Sequence, residues 1–200
     1  ALKAYSTGIK VFVSSGIEAA IPFYRRAVEI DPQFALAHAH LGLTYSAIGE
    51  SVLSAESTTK GWLLRDRVGD REKFFIDFTY DRQVTGNLEK AYQTLELWIQ
   101  TYPQRGENPN PHDLLAGLST HGTGRFERAI EASQEGLAVD PDFPLRYGNL
   151  AWSYFLTGRF SEAESTLQRA SERKLEMPDF MVIRYNIALL KGDPEQMDRA

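Results

Sequence analysis

Glycine residues recur along this chain at a nearly constant spacing, and this periodicity constrains the fold more than any other feature of the sequence. Five of them separate consecutive amphipathic segments at intervals of 37, 38, 34 and 34 residues: Gly49, Gly86, Gly124, Gly158 and Gly192. Glycine accepts the positive φ with which many helices end, so each position predicts a tight turn between two helices. The sequence therefore predicts a row of helical pairs of similar length.

Small residues and prolines recur in phase with these turns. Gly16 has a similar role in the first pair, and alanine stands shortly after four turn glycines (Gly16, Gly86, Gly124 and Gly158), at Ala20, Ala91, Ala129 and Ala163. A larger side chain there would overpack the contact between the two helices of a pair, at a cost of roughly 1–3 kcal/mol. Proline cannot continue a helix, and it is predicted to end the second helix of three pairs, at Pro32, Pro103 and Pro141.

The pattern divides the chain into five complete pairs and the start of a sixth, at about residues 1–34, 35–70, 71–105, 110–143, 144–177 and 178–200. One pair of this size cannot bury its apolar faces alone, so we predict a single stacked array over residues 1–200. The predicted fold class is all-α: a right-handed superhelical solenoid of antiparallel helical hairpins whose first helices line a concave groove.

The second helix of the second pair is predicted to continue through Trp62 to about Arg67. The polar stretch from Gln104 to Pro111 is predicted to be the most mobile loop.

A motif recurs within these pairs. Its first half is His38-x2-Leu41-Gly42-x2-Tyr45, its second half is Ala20-x3-Tyr24 followed by Pro32, and the tripeptide Ile30-Asp31-Pro32 returns as Val139-Asp140-Pro141. The chain resembles the tetratricopeptide-repeat family over essentially its whole length, with His38 in place of the usual tryptophan. Ser54, Thr58 and Gly61 depart from the alanine, aromatic residue and alanine that are usual in that pattern. Because an array of this kind presents a surface, the resemblance implies binding to a protein or peptide partner.

A narrower resemblance rests mainly on the run from Leu64 to Pro103. This run is similar to the repeat region of large bacterial signalling proteins, in which such arrays follow a serine/threonine kinase domain or a winged-helix regulator domain. The resemblance implies that the chain is the sensor or scaffold part of a longer regulator. The sequence contains no kinase glycine-rich loop, HRD or DFG element, so the chain itself is predicted not to be an enzyme.

Composition narrows the classes of partner and location. The net charge of −5 and the pI near 5.4 argue against nucleic acid, which requires a basic face. The absence of cysteine excludes disulfides and thiolate metal sites. No apolar run reaches the ~18 residues of a spanning helix, so a membrane is expected only through segments of a parent protein. A cytoplasmic location is predicted, with the outer side of a membrane-anchored parent as the alternative.

The polar residues do not form a recognisable reaction centre. His38 and His40 face different sides of one helix, and His38 is interpreted as a packed core residue. The two histidines His112 and His121 are nine residues apart, about half a turn on a helix, which argues against a metal site shared with Asp113. We therefore predict no catalytic residue, no cofactor and no metal. The basic stretch from Lys60 to Lys73 is interleaved with acidic residues and is interpreted as a self-paired helix end.

The resemblance also implies which positions of the first helices face the groove. The residues predicted to contact a partner are Tyr5, Ile9, Phe12, Lys73, Tyr80, Leu118, His121, Asn149, Trp152 and Phe155. This set is mostly apolar and aromatic, which fits an amphipathic helix or an extended apolar peptide. Clamping of a C-terminal carboxylate, as in chaperone-binding members of the family, is rejected because only Lys73 fits and Asp77 has the wrong sign.

Two alternatives to peptide binding stay open. The array could mediate self-association of its parent, through its terminal repeats or with its groove filled by its own chain. It could also hold a small-ligand pocket between the third and fourth repeats. Because the sixth pair is incomplete, the sequence further predicts either dimerisation through the C-terminal end or irregular docking of the last helix.

Overall fold

The computed structural model describes residues 1–102 and 110–199, and every regular element in this part of the chain is helical. The chain forms two compact units, unit 1 (Ala1–Pro103) and unit 2 (Gln104–Ala200). The predicted all-α fold class is confirmed. Each unit consists of antiparallel helical hairpins packed side by side.

Unit 1 contains three hairpins. Its helices are α1 (Leu2–Ser15), α2 (Ile17–Ile30), α3 (Ala35–Ala47), α4 (Ser51–Leu63), α5 (Asp70–Tyr80) and α6 (Leu88–Thr101). A 3-10 turn (Arg65–Arg67) follows α4, and a π-helical turn (Asp81–Thr85) follows α5.

Unit 2 contains two complete hairpins and a third pair of helices. Its helices are α7 (Pro111–Leu118), α8 (Phe126–Val139), α9 (Pro144–Leu156), α10 (Phe160–Glu172), α11 (Pro178–Lys191) and α12 (Pro194–Arg199). A π-helical turn (Ser119–Thr123) follows α7.

The turn residues and the small residues behave as predicted. The five recurring glycines have φ between 66° and 82°, the left-handed region that favours glycine. The four recurring alanines are completely buried. Both features follow from one requirement, which is that the two helices of a hairpin pack closely and reverse direction within two or three residues.

Two predictions concern the ends of helices. Pro32 and Pro141 follow the ends of α2 and α8, as predicted, whereas Pro103 lies outside the described residues. The loop predicted to be mobile, from Gln104 to Pro111, also lies outside them except for its last two residues. The Asn110 side chain caps α7, because its Oδ1 accepts the His112 backbone N–H at 2.9 Å.

The second helix of the second pair is shorter than predicted. It ends at Leu63, and residues up to Arg67 form the 3-10 turn. The Arg65 side chain explains this end, because its Nη1 donates to the Trp62 carbonyl at 3.0 Å. That carbonyl is among the last four of the helix, which lack partners within it, so the side chain replaces a continued helical turn.

The unusual residues of this pair allow a close approach of α3 to α4. A Cβ at Gly42 would collide with the Thr58 hydroxyl and lie 3.0 Å from the Ser54 carbonyl oxygen. The Ser54 hydroxyl donates to the Gly42 carbonyl at 2.8 Å. The small Ser54 and Thr58 side chains therefore bring α4 close to Gly42 of α3.

Candidate interaction surface

A row of four aromatic side chains lies on unit 2, and we call it the aromatic row: His121, Trp152, Phe155 and Phe160. The His121 ring meets the Trp152 ring edge-on at 6.3 Å between centroids, and Trp152 meets Phe155 edge-on at 5.5 Å. Phe155 lies 5.8 Å from Phe160. His121 is exposed and the other three rings are half-buried. The row is therefore both accessible and held by contacts among its members.

Local structure explains why these rings lie on one surface. Trp152 and Phe155 are three residues apart on α9, so they project from the same face of the helix. Trp152, Phe155 and Phe160 all pack against the buried core of unit 2. Their rings are consequently anchored on one side and open on the other.

The exposed part of α9 carries no charge. Its single charged residue, Arg146, is only 4% exposed. The Arg146 guanidinium turns inward and donates to both carboxylate oxygens of Asp113 on α7, from Nε at 2.7 Å and from Nη2 at 3.0 Å. Its Nη1 donates to the Asp140 carbonyl at 2.7 Å. The outer face of α9 is therefore left to aromatic, aliphatic and small polar groups.

Burial affects the electrostatics beneath this face. Burial raises the pKa of Asp113, while its hydrogen bonds from Arg146 oppose the rise. Gly136 of α8 lies directly beside this pair, because a Cβ at that position would be 2.9 Å from the Arg146 Nε. The ion pair thus joins the start of α9 to α7 at a place where the neighbouring helix has left room for the guanidinium.

The three residues weighed as a metal set diverge. His112 is buried, and its Nδ1 lies 2.8 Å from Glu135 Oε2. Asp113 binds Arg146, and His121 contacts Trp152. Within residues 1–102 and 110–199, no group of three or more histidine or acidic residues is arranged to hold a metal ion.

In unit 1 the predicted partner residues of α1 belong largely to the contact between repeats. Tyr5, Ile9 and Phe12 are half-buried and pack against a core cluster containing Tyr24. The Tyr5 hydroxyl lies 3.3 Å from Nδ1 of the buried His40. Only part of each predicted side chain is therefore available to a partner.

The remaining predicted residues of unit 1 are engaged within the chain. Lys73 Nζ lies 3.7 Å from an Asp70 carboxylate oxygen and 3.9 Å from one of Asp66, which agrees with the self-paired interpretation of this stretch. Tyr80 stacks on Trp62 with 4.4 Å between ring centroids. Both side chains are half-buried.

Leu118 and Asn149 are corrections to the predicted set, because their side chains are buried at 1% and 5% exposure. The positions of the fourth pair were counted forward from its predicted start at Asn110, and this count does not show which side of α7 the rest of unit 2 covers. Asn149 faces α7, since its Nδ2 would lie 4.0 Å from a Cβ at Gly117.

Several residues of these surfaces were not predicted from the sequence. Phe160 completes the aromatic row from the first position of α10, and its only sequence signal is an aromatic residue after a turn. The inward course of Arg146 has no signal in the local pattern. An exposed apolar stripe on α11 was not predicted, and it consists of Met181, Val182, Tyr185, Leu189 and Leu190.

Comparisons with known proteins support the tetratricopeptide-repeat family. Two family models, both described as tetratricopeptide repeat, match the chain, one over residues 121–179 and the other over residues 17–34. A search of curated protein sequences finds no significant match.

Among the described residues, no helix is both long enough and apolar enough to span a bilayer.

Solved structures show the same fold at low sequence identity. PilW, a widely conserved type IV pilus biogenesis factor, has a TM-score of 0.64 at 15% identity, covering 98% of this chain and 88% of that one. A tetratricopeptide repeat protein from Parabacteroides merdae has a TM-score of 0.64 at 15% identity, covering 97% and 73%. A thermophilic repeat protein of Thermus thermophilus has a TM-score of 0.63 at 21% identity, covering 94% and 97%.

Proposed function

We propose that this chain is a non-catalytic protein-interaction module and that the aromatic row of unit 2 is its principal contact surface. The observation that carries the proposal is a row of one exposed and three half-buried aromatic rings beside the uncharged outer face of α9. Contiguous exposed apolar surface is uncommon on soluble proteins and marks interaction sites. Aromatic anchors supply much of the affinity at such sites.

The chemistry of the row indicates the kind of partner. An amphipathic helix or an extended apolar peptide would place aliphatic or aromatic side chains against Trp152 and Phe155. Nucleic acid is a poor fit, since the net charge is −5 and the exposed face of α9 has no basic group. The partner proposed here is therefore a protein or peptide.

We also propose a wider setting for the module. The similarity of residues 64–103 to the repeat regions of bacterial kinases and winged-helix regulators supports a role as scaffold or sensor in a larger bacterial signalling protein. In that setting the module would act in the cytoplasm, or on the outer side of a membrane-anchored parent. The complete reading frame tests this setting: a kinase or winged-helix domain in it would support the role, and the lack of either would contradict it.

Selection of binding peptides tests the proposed surface. A displayed library of random 16-residue peptides is selected on the whole wild-type chain, with no selection against Trp152→Ala. We expect helical peptides with apolar residues at i, i+3 or i+4, and at least tenfold weaker binding to Trp152→Ala in fluorescence anisotropy. Leu97→Ala is the matched control, because Leu97 is an exposed apolar residue of unit 1. Peptides that bind Trp152→Ala as tightly as the wild type would refute the proposal.

Self-association is a second candidate function, and the exposed apolar stripe of α11 favours it. The stripe contains no charged side chain, so two copies could meet there without repulsion. Light scattering across protein concentration tests this, with Met181→Ser/Leu189→Ser as the variant and Trp152→Ala as the comparison. Loss of a dimer only in the α11 variant would support this role, and a monomer at all concentrations would exclude it.

A further inference from the structure

A stack of three planar groups lies on unit 1. The Trp62 indole and the Tyr80 ring are nearly parallel, with 17° between their planes and 4.4 Å between their centroids. The Arg65 guanidinium carbon lies 3.8 Å from the centroid of the indole. Such cation–π contacts favour a delocalised, weakly hydrated cation, which describes guanidinium better than ammonium.

Asp77 lies beside this stack but is not fully used by it. Its Oδ1 is 3.8 Å from the Arg65 Nε, which is too long for a hydrogen bond. A carboxylate that binds arginine well accepts two parallel hydrogen bonds at about 2.7–2.9 Å. Asp77 is 41% exposed, so a second guanidinium could approach it from solvent.

Other charges near Asp77 leave its charge poorly compensated. Burial raises the pKa of Asp77, and Asp81 raises it further, whereas Arg65, Lys90 and a hydrogen bond from the Trp62 indole lower it. The Lys90 ammonium is itself bound to Asp81, at 3.1 Å. Arg65 is the cation that lowers the pKa of Asp77 most, but its Nη1 donates to the Trp62 carbonyl.

We propose that Trp62, Asp77 and Tyr80 form a binding site for an arginine side chain of a protein partner, and that Arg65 fills only its stacking half in the free protein. An incoming arginine replaces Arg65 over the indole and adds the paired hydrogen bonds to Asp77 that Arg65 does not make. Lysine fits less well, because it lacks the planar fork. The site is in unit 1 and is independent of the function proposed for unit 2.

The test removes the chain's own arginine and supplies the ligand as a small molecule. Arg65→Ala is titrated with N-acetyl-arginine amide, and the indole N–H resonance of Trp62 is followed by NMR. We expect a saturable shift in Arg65→Ala, binding about tenfold weaker in the wild type, and weaker binding of N-acetyl-lysine amide. Arg67→Ala is the matched control, because Arg67 is an exposed arginine in the same turn, and it should behave as the wild type.

A second variant separates the site from a general effect on the fold. Arg65→Ala/Asp77→Asn should lose the saturable shift while keeping the circular dichroism spectrum of Arg65→Ala. If Arg65→Ala unfolds, Arg65→Gln retains most of the side chain and takes its place. No saturable shift in a folded Arg65 variant, or equal binding after Asp77→Asn, would overturn the proposal. Neither result bears on the aromatic row, which the peptide selection tests separately.

Discussion

Arg146 on α9 and Asp113 on α7 form a buried two-pronged ion pair, with 2.7 Å from Nε to Oδ1 and 3.0 Å from Nη2 to Oδ2. The two side chains are 5% and 10% exposed. This pair connects the first helices of consecutive hairpins, and α9 carries two rings of the aromatic row. The position of the surface therefore depends on a polar contact inside unit 2.

Replacing one member of this ion pair should lower the free energy of unfolding much more than replacing both members. Asp113→Asn leaves the buried Arg146 guanidinium with only the half-exposed Asp140 carboxylate, 3.2 Å from Nη1, as its counter-charge. We expect a loss of about 3 kcal/mol in the free energy of unfolding. Asp113→Leu/Arg146→Met should recover most of that loss, because two apolar groups need no counter-charge. Urea unfolding followed by circular dichroism gives both values.

The exposed pair Arg173–Asp142 is the control for this measurement. Its nitrogen–oxygen distance is 2.8 Å, but its side chains are 46% and 72% exposed. Solvent screening limits such a pair to about 1 kcal/mol or less, so Arg173→Ala should change stability little. Equal effects of Asp113→Asn and Arg173→Ala would show that burial does not set the strength of the inner pair.

His40 should make the stability of unit 1 depend on pH. Burial lowers the pKa of His40 from 6.5 to about 4. Below pH 6.5 the unfolded chain therefore binds a proton at His40 that the folded chain does not bind until about pH 4. Stability is complete above pH 6.5 and falls by about 3 kcal/mol as the pH drops to 4.

The variant His40→Phe isolates this contribution. Burial also lowers the pKa of His38, and carboxylates titrate in the same range, so the wild type alone would not assign the effect. Urea unfolding at pH 7.5, 5.5 and 4.5 should show a shallower fall in stability for His40→Phe. Parallel pH profiles of stability for the two proteins would mean that folding does not lower the pKa of His40.

Much of the fold follows from short-range sequence signals. Gly86 and Gly158 mark turns because left-handed backbone is costly for other residues, and Ala91 and Ala163 mark helix contacts because nothing larger fits. These requirements act within one hairpin, so they recur with the repeat and can be recognised without a structure.

Contacts between helices of different pairs had no such signal. The Arg146–Asp113 pair joins residues 33 apart, and the stack of Trp62 on Tyr80 forms where α4 meets α5. Leu118 is predicted to face a partner, but it is only 1% exposed. Its position in the repeat does not show which neighbouring side chains cover it.

Substituting alanine for each of two helical glycines should change the stability of the protein in opposite directions. A Cβ at Gly61 would lie 3.0 Å from the Ala35 carbonyl oxygen and 3.1 Å from the Ala39 nitrogen, both of which are backbone atoms. Gly61→Ala should therefore separate α3 from α4 and cost about 1–3 kcal/mol. At Gly117 the nearest atom is the Asn149 Nδ2 at 4.0 Å, so Gly117→Ala should stabilise α7 by up to about 1 kcal/mol.

Thermal unfolding of the two alanine variants distinguishes close packing from helix propensity. If propensity dominated, both variants would melt at a higher temperature than the wild type. If packing decides, as the backbone distances at Gly61 require, the two melting temperatures move in opposite directions. A rise for Gly61→Ala would show that α3 and α4 are farther apart than described here.

Peptide binding at the aromatic row should depend little on salt. The outer face of α9 carries no charge, because Arg146 is buried, so the contact there consists of apolar surface and ring edges. Screening by salt weakens interactions between exposed charges and leaves apolar burial largely intact. The measurement uses a selected peptide that binds Trp152→Ala at least tenfold more weakly than the wild type. Its dissociation constants at low and at high NaCl should therefore differ by less than about threefold. A steep loss of affinity with salt would indicate that the peptide binds charged groups elsewhere, and that α9 does not supply the main contact.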